Sequence, residues 1–209
     1  LRSGFADWTG GEPFARLPRP LQPARPDRLV IATPDKQNAT LMVQQSIPLS
    51  DADADYPALT MANSLLGGGG SSRLWKRIRE VEGLSYSVYS QIAWNNFEPN
   101  SSWMAGAIFA PQNRSKVETA LREEIARALK DGFTSAELAE GKRGLLGFRR
   151  LSRAQDGVLT EALSNNLYLG RTLEVSARVD AAIAALTVEQ VNAALRKYLK
   201  PENLVFVLA

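Results

Sequence analysis

Residues 72–87 read Ser72-Arg73-Leu74-Trp75-Lys76-Arg77-Ile78-Arg79-Glu80-Val81-Glu82-Gly83-Leu84-Ser85-Tyr86-Ser87, close behind the run Asn63-Ser64-Leu65-Leu66-Gly67-Gly68-Gly69-Gly70. Leu74, Trp75 and Ile78 fall on one side of a helix that Ser71 or Ser72 caps, with Arg73, Lys76, Arg77 and Arg79 on the other. Gly83 breaks that helix, and Leu84 to Trp94 is rich in β-formers. The stretch therefore passes from helix through a glycine turn into a strand. Arg79 ends the helix and Tyr86 starts the strand, seven residues apart across the turn. A guanidinium offers five permanent donors in a planar fork, and a phenol offers one donor and one acceptor. The two can converge on one carbonyl or oxyanion. The spacing fits equally an Arg on a polar helix face and a Tyr half-buried in a strand.

Working outward, Leu29-Val30-Ile31 and Ala39 to Ile47 read as two further strands, and Trp103 to Phe109 as another. A helix opens at Asp51-Ala52-Asp53-Ala54-Asp55 and runs to Leu66, with Leu59, Ala62, Leu65 and Leu66 at helical spacing. Its acidic start suits the positive end of the helix dipole. After Pro111 the pattern is helical: Ser115 to Lys130, Thr134 toward Arg153, Val158 to Leu169, Val175 to Leu186 and Val188 to Tyr198. Thr134-x-x-Glu137 fits a capping box, and Leu204 to Leu208 returns as a strand. That order predicts an α+β fold: a sheet of about five or six largely antiparallel strands, packed on one face by several helices. The expected division is a Pro-rich linker over residues 1–27, with five prolines in the fourteen residues Pro13 to Pro26, and one domain over 28–209.

The 209 residues contain no His and no Cys. Zinc normally takes imidazole or thiolate ligands, so the sequence contains no ordinary zinc site. Ser-His-Asp and Cys-His machinery are excluded for want of an imidazole, and disulfides for want of thiols. A net charge of +3 is small for this length, so nucleic acid is not the expected partner. No run of 18 apolar residues marks a membrane span. A start at Leu1, without initiator Met or signal-peptide stretch, reads as a piece of a longer protein.

Three other features invite functional readings. Gly67 to Gly70 lacks the Lys and hydroxyl of a phosphate loop and reads as a flexible corner needing positive φ. Asp51, Asp53 and Asp55 match the first ligand positions of a calcium loop, but Tyr56 and Ala62 stand where it needs Gly and Glu. Lys142, Arg143, Arg149, Arg150 and Arg153 form the densest basic cluster, read as a solvated face or one toward an acidic partner.

The sequence resembles the C-terminal-type, non-zinc-binding domain of the M16 (pitrilysin/insulinase) metallopeptidases. The resemblance rests on Asn63 to Gly69, Ser72-Arg73-Leu74 and Arg79-Glu80-x-x-Gly83-Leu84-x-Tyr86-Ser87, with Thr33-Pro34-Asp35-Lys36 and Asp53-x-Asp55-Tyr56-Pro57-Ala58-Leu59 upstream. It is specific over residues 29–94 and rests on element order beyond them. It implies an α/β sandwich domain forming one wall of a peptide chamber, with zinc held by an H-x-x-E-H helix in an N-terminal companion domain or subunit. It implies that Arg79 and Tyr86 position the peptide substrate, Tyr86 steadying the oxyanion and Arg79 a carbonyl. By the same likeness this chain holds no cofactor, is inactive alone, and has a periplasmic or secreted address, with a cytoplasmic one as the alternative. Whether it forms a homo-oligomer stays open. Two rival readings stand beside it: a structural or partner-docking domain, and a peptide-binding module that adds a peptide strand to a sheet edge.

Overall fold

A computed structural model describes residues 4, 6–7, 10–23 and 25–209. Five strands, β1 (Asp27–Val30), β2 (Ala39–Ile47), β3 (Ser85–Ala93), β4 (Ser101–Phe109) and β5 (Val205–Leu208), form one sheet in the order β1-β5-β2-β4-β3. The β1–β5 pair is parallel and the other three are antiparallel. The helices are α1 (Tyr56–Gly67), α2 (Arg73–Trp75), α3 (Arg114–Asp131), α4 (Ser135–Ser152), α5 (Asp156–Leu169), α6 (Leu173–Ala185) and α7 (Val188–Tyr198). The expected α+β class, strand number and direction are those observed.

Period-two alternation makes the sheet one-sided. Ala39, Leu41, Val43, Gln45 and Ile47 of β2 are buried, as are Trp103, Ala105, Ala107 and Phe109 of β4. Their alternates Thr40, Met42, Gln44 and Ser46, and Ser102, Met104 and Ile108, lie on the opposite and more open face. Leu59, Met61, Ala62 and Leu66 of α1, Val117, Leu121 and Ile125 of α3, and Val191 and Leu195 of α7 join the same core. The buried Gln45 side chain ties sheet to helix layer: its amide donates to the Tyr198 carbonyl (2.5 Å), and its oxygen accepts from Lys200 N–H (2.9 Å).

The Thr134 capping box forms as the sequence predicts, and Thr187 with Gln190 forms a second one at α7. The acidic start of α1 is organised differently. No Asp side chain caps the helix. Asp51 instead binds Arg171, Asp53 accepts from Ser50, and Asp55 accepts from Lys197 and Tyr198. Asp51 and Asp55 are absorbed by tertiary contacts and Asp53 by its local bond to Ser50, and together these outweigh the dipole argument here. Part of the Pro-rich segment lies against the chain's own sheet end. Arg19 N–H donates to Glu98, Asn100 donates to the Arg19 carbonyl, and Ser46 donates to the Gln22 carbonyl.

Candidate functional site

The helix predicted after Ser72 has an α-helical geometry only over Arg73–Trp75. It then widens into a π-helical turn, Lys76–Val81, marked by Glu82 N–H donating to the Arg77 carbonyl (3.0 Å). Such turns are rare and concentrate at functional sites. This one is pinned from inside by Ile78, which is fully buried. Gly83 then adopts φ +60°, a left-handed conformation that glycine takes without a Cβ penalty. Leu84 N–H returns to the Ile78 carbonyl at 2.9 Å, so the chain doubles back tightly into β3.

At the start of β3 the ladder slips: Ser85 pairs with Phe109 and Ser87 with Ile108. Tyr86 is thus the extra residue of a β-bulge, a device that re-aims a side chain. Ser85 closes the defect, its hydroxyl accepting from Ser87 N–H (3.2 Å) and lying 2.7 Å from the Ile108 carbonyl. Tyr86 points outward and is 81% exposed. The sequence reading of Tyr86 as half-buried within a strand fails for this reason.

The structure brings Arg79 and Tyr86 together. Arg79 Nη1 donates to the Tyr86 carbonyl at 2.5 Å, and its guanidinium lies 4.5 Å from the Tyr86 ring centroid. The same guanidinium also lies 4.4 Å from the ring centroid of Trp75. Among the described residues Arg79 makes no other hydrogen bond, leaving most of its donors free. The phenol of Tyr86 and the free N–H edges of Arg79 therefore form an exposed donor pair suited to a carbonyl or a developing oxyanion. The Trp75 stack was not anticipated, because Trp75 reads as apolar beside Leu74 and Ile78. Its position four residues before Arg79 is the signal that identifies the contact.

An ionic network fastens this arm to the helix layer. Arg77 binds Glu82 (2.8 Å) and Glu123 and lies 3.9 Å from the fully buried Glu124, which Arg127 contacts at 2.5 Å. Arg73 grips both oxygens of Glu137 (2.7 and 2.9 Å) and donates to the Gly132 carbonyl (2.7 Å). The Arg73 bond, opposed by partial burial and aided by Thr134, lowers the Glu137 carboxyl to about 2. Glu82 and then Glu123 hold the Arg77 guanidinium above its ordinary range.

The remaining candidates resolve into structural roles. Positive φ is absent from Gly67 to Gly70. Gly67 is needed for close approach instead, since a Cβ there would lie 2.7 Å from the backbone nitrogen of Ser90. The basic cluster of α4 is largely consumed internally. Lys142 donates to the Ala184 and Leu186 carbonyls, and Arg149 and Arg153 share Asp180, leaving Arg143 and Arg150 exposed. Among the described residues no group of three or more His, Cys, Asp or Glu is placed to hold a metal ion. The residues present do not fit a zinc centre.

Comparison with known proteins points one way. The family model described as "Peptidase M16 inactive domain" matches residues 1–145. The Bacillus subtilis protein described as "Uncharacterized zinc protease YmxG" is 32% identical over 142 residues, 66% of this chain and 34% of that protein. The Helicobacter pylori "Non-peptidase homolog YmxG" is 25% identical over 175 residues, 83% of this chain and 40% of that protein. Among solved structures, the peptidase M16 inactive domain from Pseudomonas fluorescens superposes with a TM-score of 0.79 at 27% identity, covering 95% of this chain and 46% of that one. A protease from Helicobacter pylori shares the fold at a TM-score of 0.82 and 16% identity, covering 99% of this chain and 50% of that one. The chain thus spans well under half of these curated relatives and about half of these solved chains.

Proposed function

The chain belongs to the peptidase M16 inactive-domain family, and from that premise we propose that it serves a zinc metallopeptidase as the non-catalytic wall of its peptide chamber. The zinc belongs to a companion domain or subunit, and this domain alone is inactive. Its contribution is the Arg79–Tyr86 pair, which holds the substrate backbone beside the reacting carbonyl. The observation that carries this reading is the bulge that turns Tyr86 outward with the Arg79 guanidinium against its ring. A β-bulge costs ladder pairing, and here it places the phenol in solvent, where it contributes little to the core. Donors fixed in advance of the reaction stabilise developing negative charge without reorganising when it appears.

The test is Tyr86→Phe in the complete zinc-bearing protein, followed by peptide hydrolysis. Loss of one oxyanion donor costs about 10²–10³ in kcat in comparable sites, with much less effect on KM. Turnover equal to wild type removes the assigned role. A structural reading has one observation in its favour: the Arg79 hydrogen bond ends on the Tyr86 carbonyl, within the chain itself. Under that reading, peptide hydrolysis survives loss of both side chains.

A further inference from the structure

We propose that Trp75 is a positioning residue for the Arg79–Tyr86 pair, its indole forming the fixed wall of a Trp75–Arg79–Tyr86 sandwich. The inference rests on the reading of Tyr86 as a substrate-facing group. Tyr86 itself is poorly held. It is a bulge residue, 81% exposed, and among the described residues its ring contacts a cation only at Arg79. Arg79 in turn has a long, rotamer-rich side chain with one hydrogen bond, from Nη1 to the Tyr86 carbonyl. A single bond fixes one atom and leaves the guanidinium plane free to turn. Two ring faces, at 4.4 and 4.5 Å, are what fix the plane. A guanidinium held against two rings keeps its N–H edges in one orientation, as a directional donor to a peptide oxygen requires.

Trp75 is the member of this stack anchored to the core. It is partly buried against the main hydrophobic cluster, and its indole N–H donates to Glu80 at 3.2 Å. The π-helical turn supplies the alignment. Trp75 is the residue before that turn and Arg79 lies within it, four residues on, where the guanidinium comes 4.4 Å from the indole. The buried Ile78 and the Arg77 contacts to Glu82 and Glu123 hold that turn in place. An aliphatic residue would fill the same edge of the core and offer no π face.

The experiment uses the complete zinc-bearing protein with Trp75→Met, which keeps bulk, and Trp75→Phe, which keeps a ring face. Each is made alone and on Arg79→Gln. Trp75→Met is expected to lower kcat roughly 10-fold with KM nearly unchanged, and Trp75→Phe to restore most of it. On the Arg79→Gln background Trp75→Met is expected to add little, because the indole acts through Arg79. A loss of equal size on both backgrounds would mark a merely structural role and overturn the proposal. NMR of the arginine side chains gives a readout independent of turnover. The wild-type Arg79 Nε–H should be shifted upfield by the two rings, and the shift should collapse in Trp75→Met and persist in Trp75→Phe. An unshifted wild-type signal overturns the sandwich even if Trp75→Met fails to fold. If Tyr86→Phe alone leaves turnover intact while the shift is present, the substrate-facing reading of Tyr86 has failed, and the role of Trp75 in turnover falls with it.

Discussion

Glu137 lies where the arm that carries Arg79 is fastened to the helix layer, and its charge should be measurable as stability. Its carboxylate accepts both donors of Arg73 and both the N–H (2.7 Å) and hydroxyl (2.9 Å) of Thr134, and its carboxyl is lowered from an ordinary 4.5 to about 2. At about 1.4 kcal/mol per pH unit, that difference sets a ceiling of roughly 3.5 kcal/mol. The Glu137 side chain is 30% exposed, so solvent screening reduces the working value to about 1–2 kcal/mol. A carboxyl lowered in the folded state stabilises fully above its unfolded value and loses that contribution as pH falls through the folded one. The contribution is therefore complete at pH 7, fades below about 4.5 and is gone near 2. Glu137→Gln keeps an acceptor for Thr134 and deletes the charge. Urea unfolding of both proteins at pH 7, 4 and 2.5 should show the variant weaker by about 1–2 kcal/mol at pH 7. The gap should shrink to about a quarter of that at pH 2.5. At two to four degrees per kcal/mol for a domain of this size, the shift in Tm at pH 7 is roughly 2–8 °C. A gap that stays constant across the three pH values, or no gap at pH 7, refutes the assignment.

Two further substitutions probe the frame around the site. Gly67→Ala places a methyl group 2.5 Å from the Ser90 hydroxyl and 2.7 Å from its backbone nitrogen. Backbone cannot swing aside, so the gain in helix propensity is outweighed, and thermal unfolding should show a net loss of about 1–2 kcal/mol. An unchanged or raised Tm would mean that α1 and β3 part without cost. Asp180 serves Arg149 and Arg153 together, and although burial opposes it, these two guanidinium groups hold its carboxyl below the usual range. Asp180→Asn leaves two cations facing one neutral amide and should speed amide exchange across Leu173–Ala185. Wild-type protection there would count against the pairing as the tie between α4 and α6.

The sheet was legible because period-two burial is written directly into Ala39–Ile47 and Ser101–Phe109. The helices α3 to α7 were legible from 3.6-residue spacing and their stops. Most boundaries differ by a residue or two, as where the first strand begins at Asp27, before the apolar Leu29 that announced it. But α1 begins at Tyr56, five residues after the Asp51 expected to open it. The site was legible as two residues facing each other across Gly83. The π-helical turn and the bulge that place them were not. Each inserts one residue into a regular pattern, and the payment comes from contacts remote in sequence, the Arg77 pairs with Glu123 and the Ser85 contact with Ile108. The Asp51, Asp53 and Asp55 cluster misled for a related reason. The partners of Asp51 and Asp55, namely Arg171, Lys197 and Tyr198, lie more than 100 residues away, beyond any local pattern.

The strand order has a consequence for biosynthesis. β5, at residues 205–208, lies between β1 and β2, pairing Leu208 with both Val30 and Leu41. The ribosome makes this keystone after every other element of the domain. Until it emerges, β1 has no strand to lie against and β2 presents a bare edge, the kind of surface that recruits other nascent chains. A pairing that spans more than 160 residues must also bear the loop-closure entropy before any return. Translation can complete the helix layer early, but the sheet closes only once residues 205–208 have emerged. That interval is when a chaperone would be of most use to this chain.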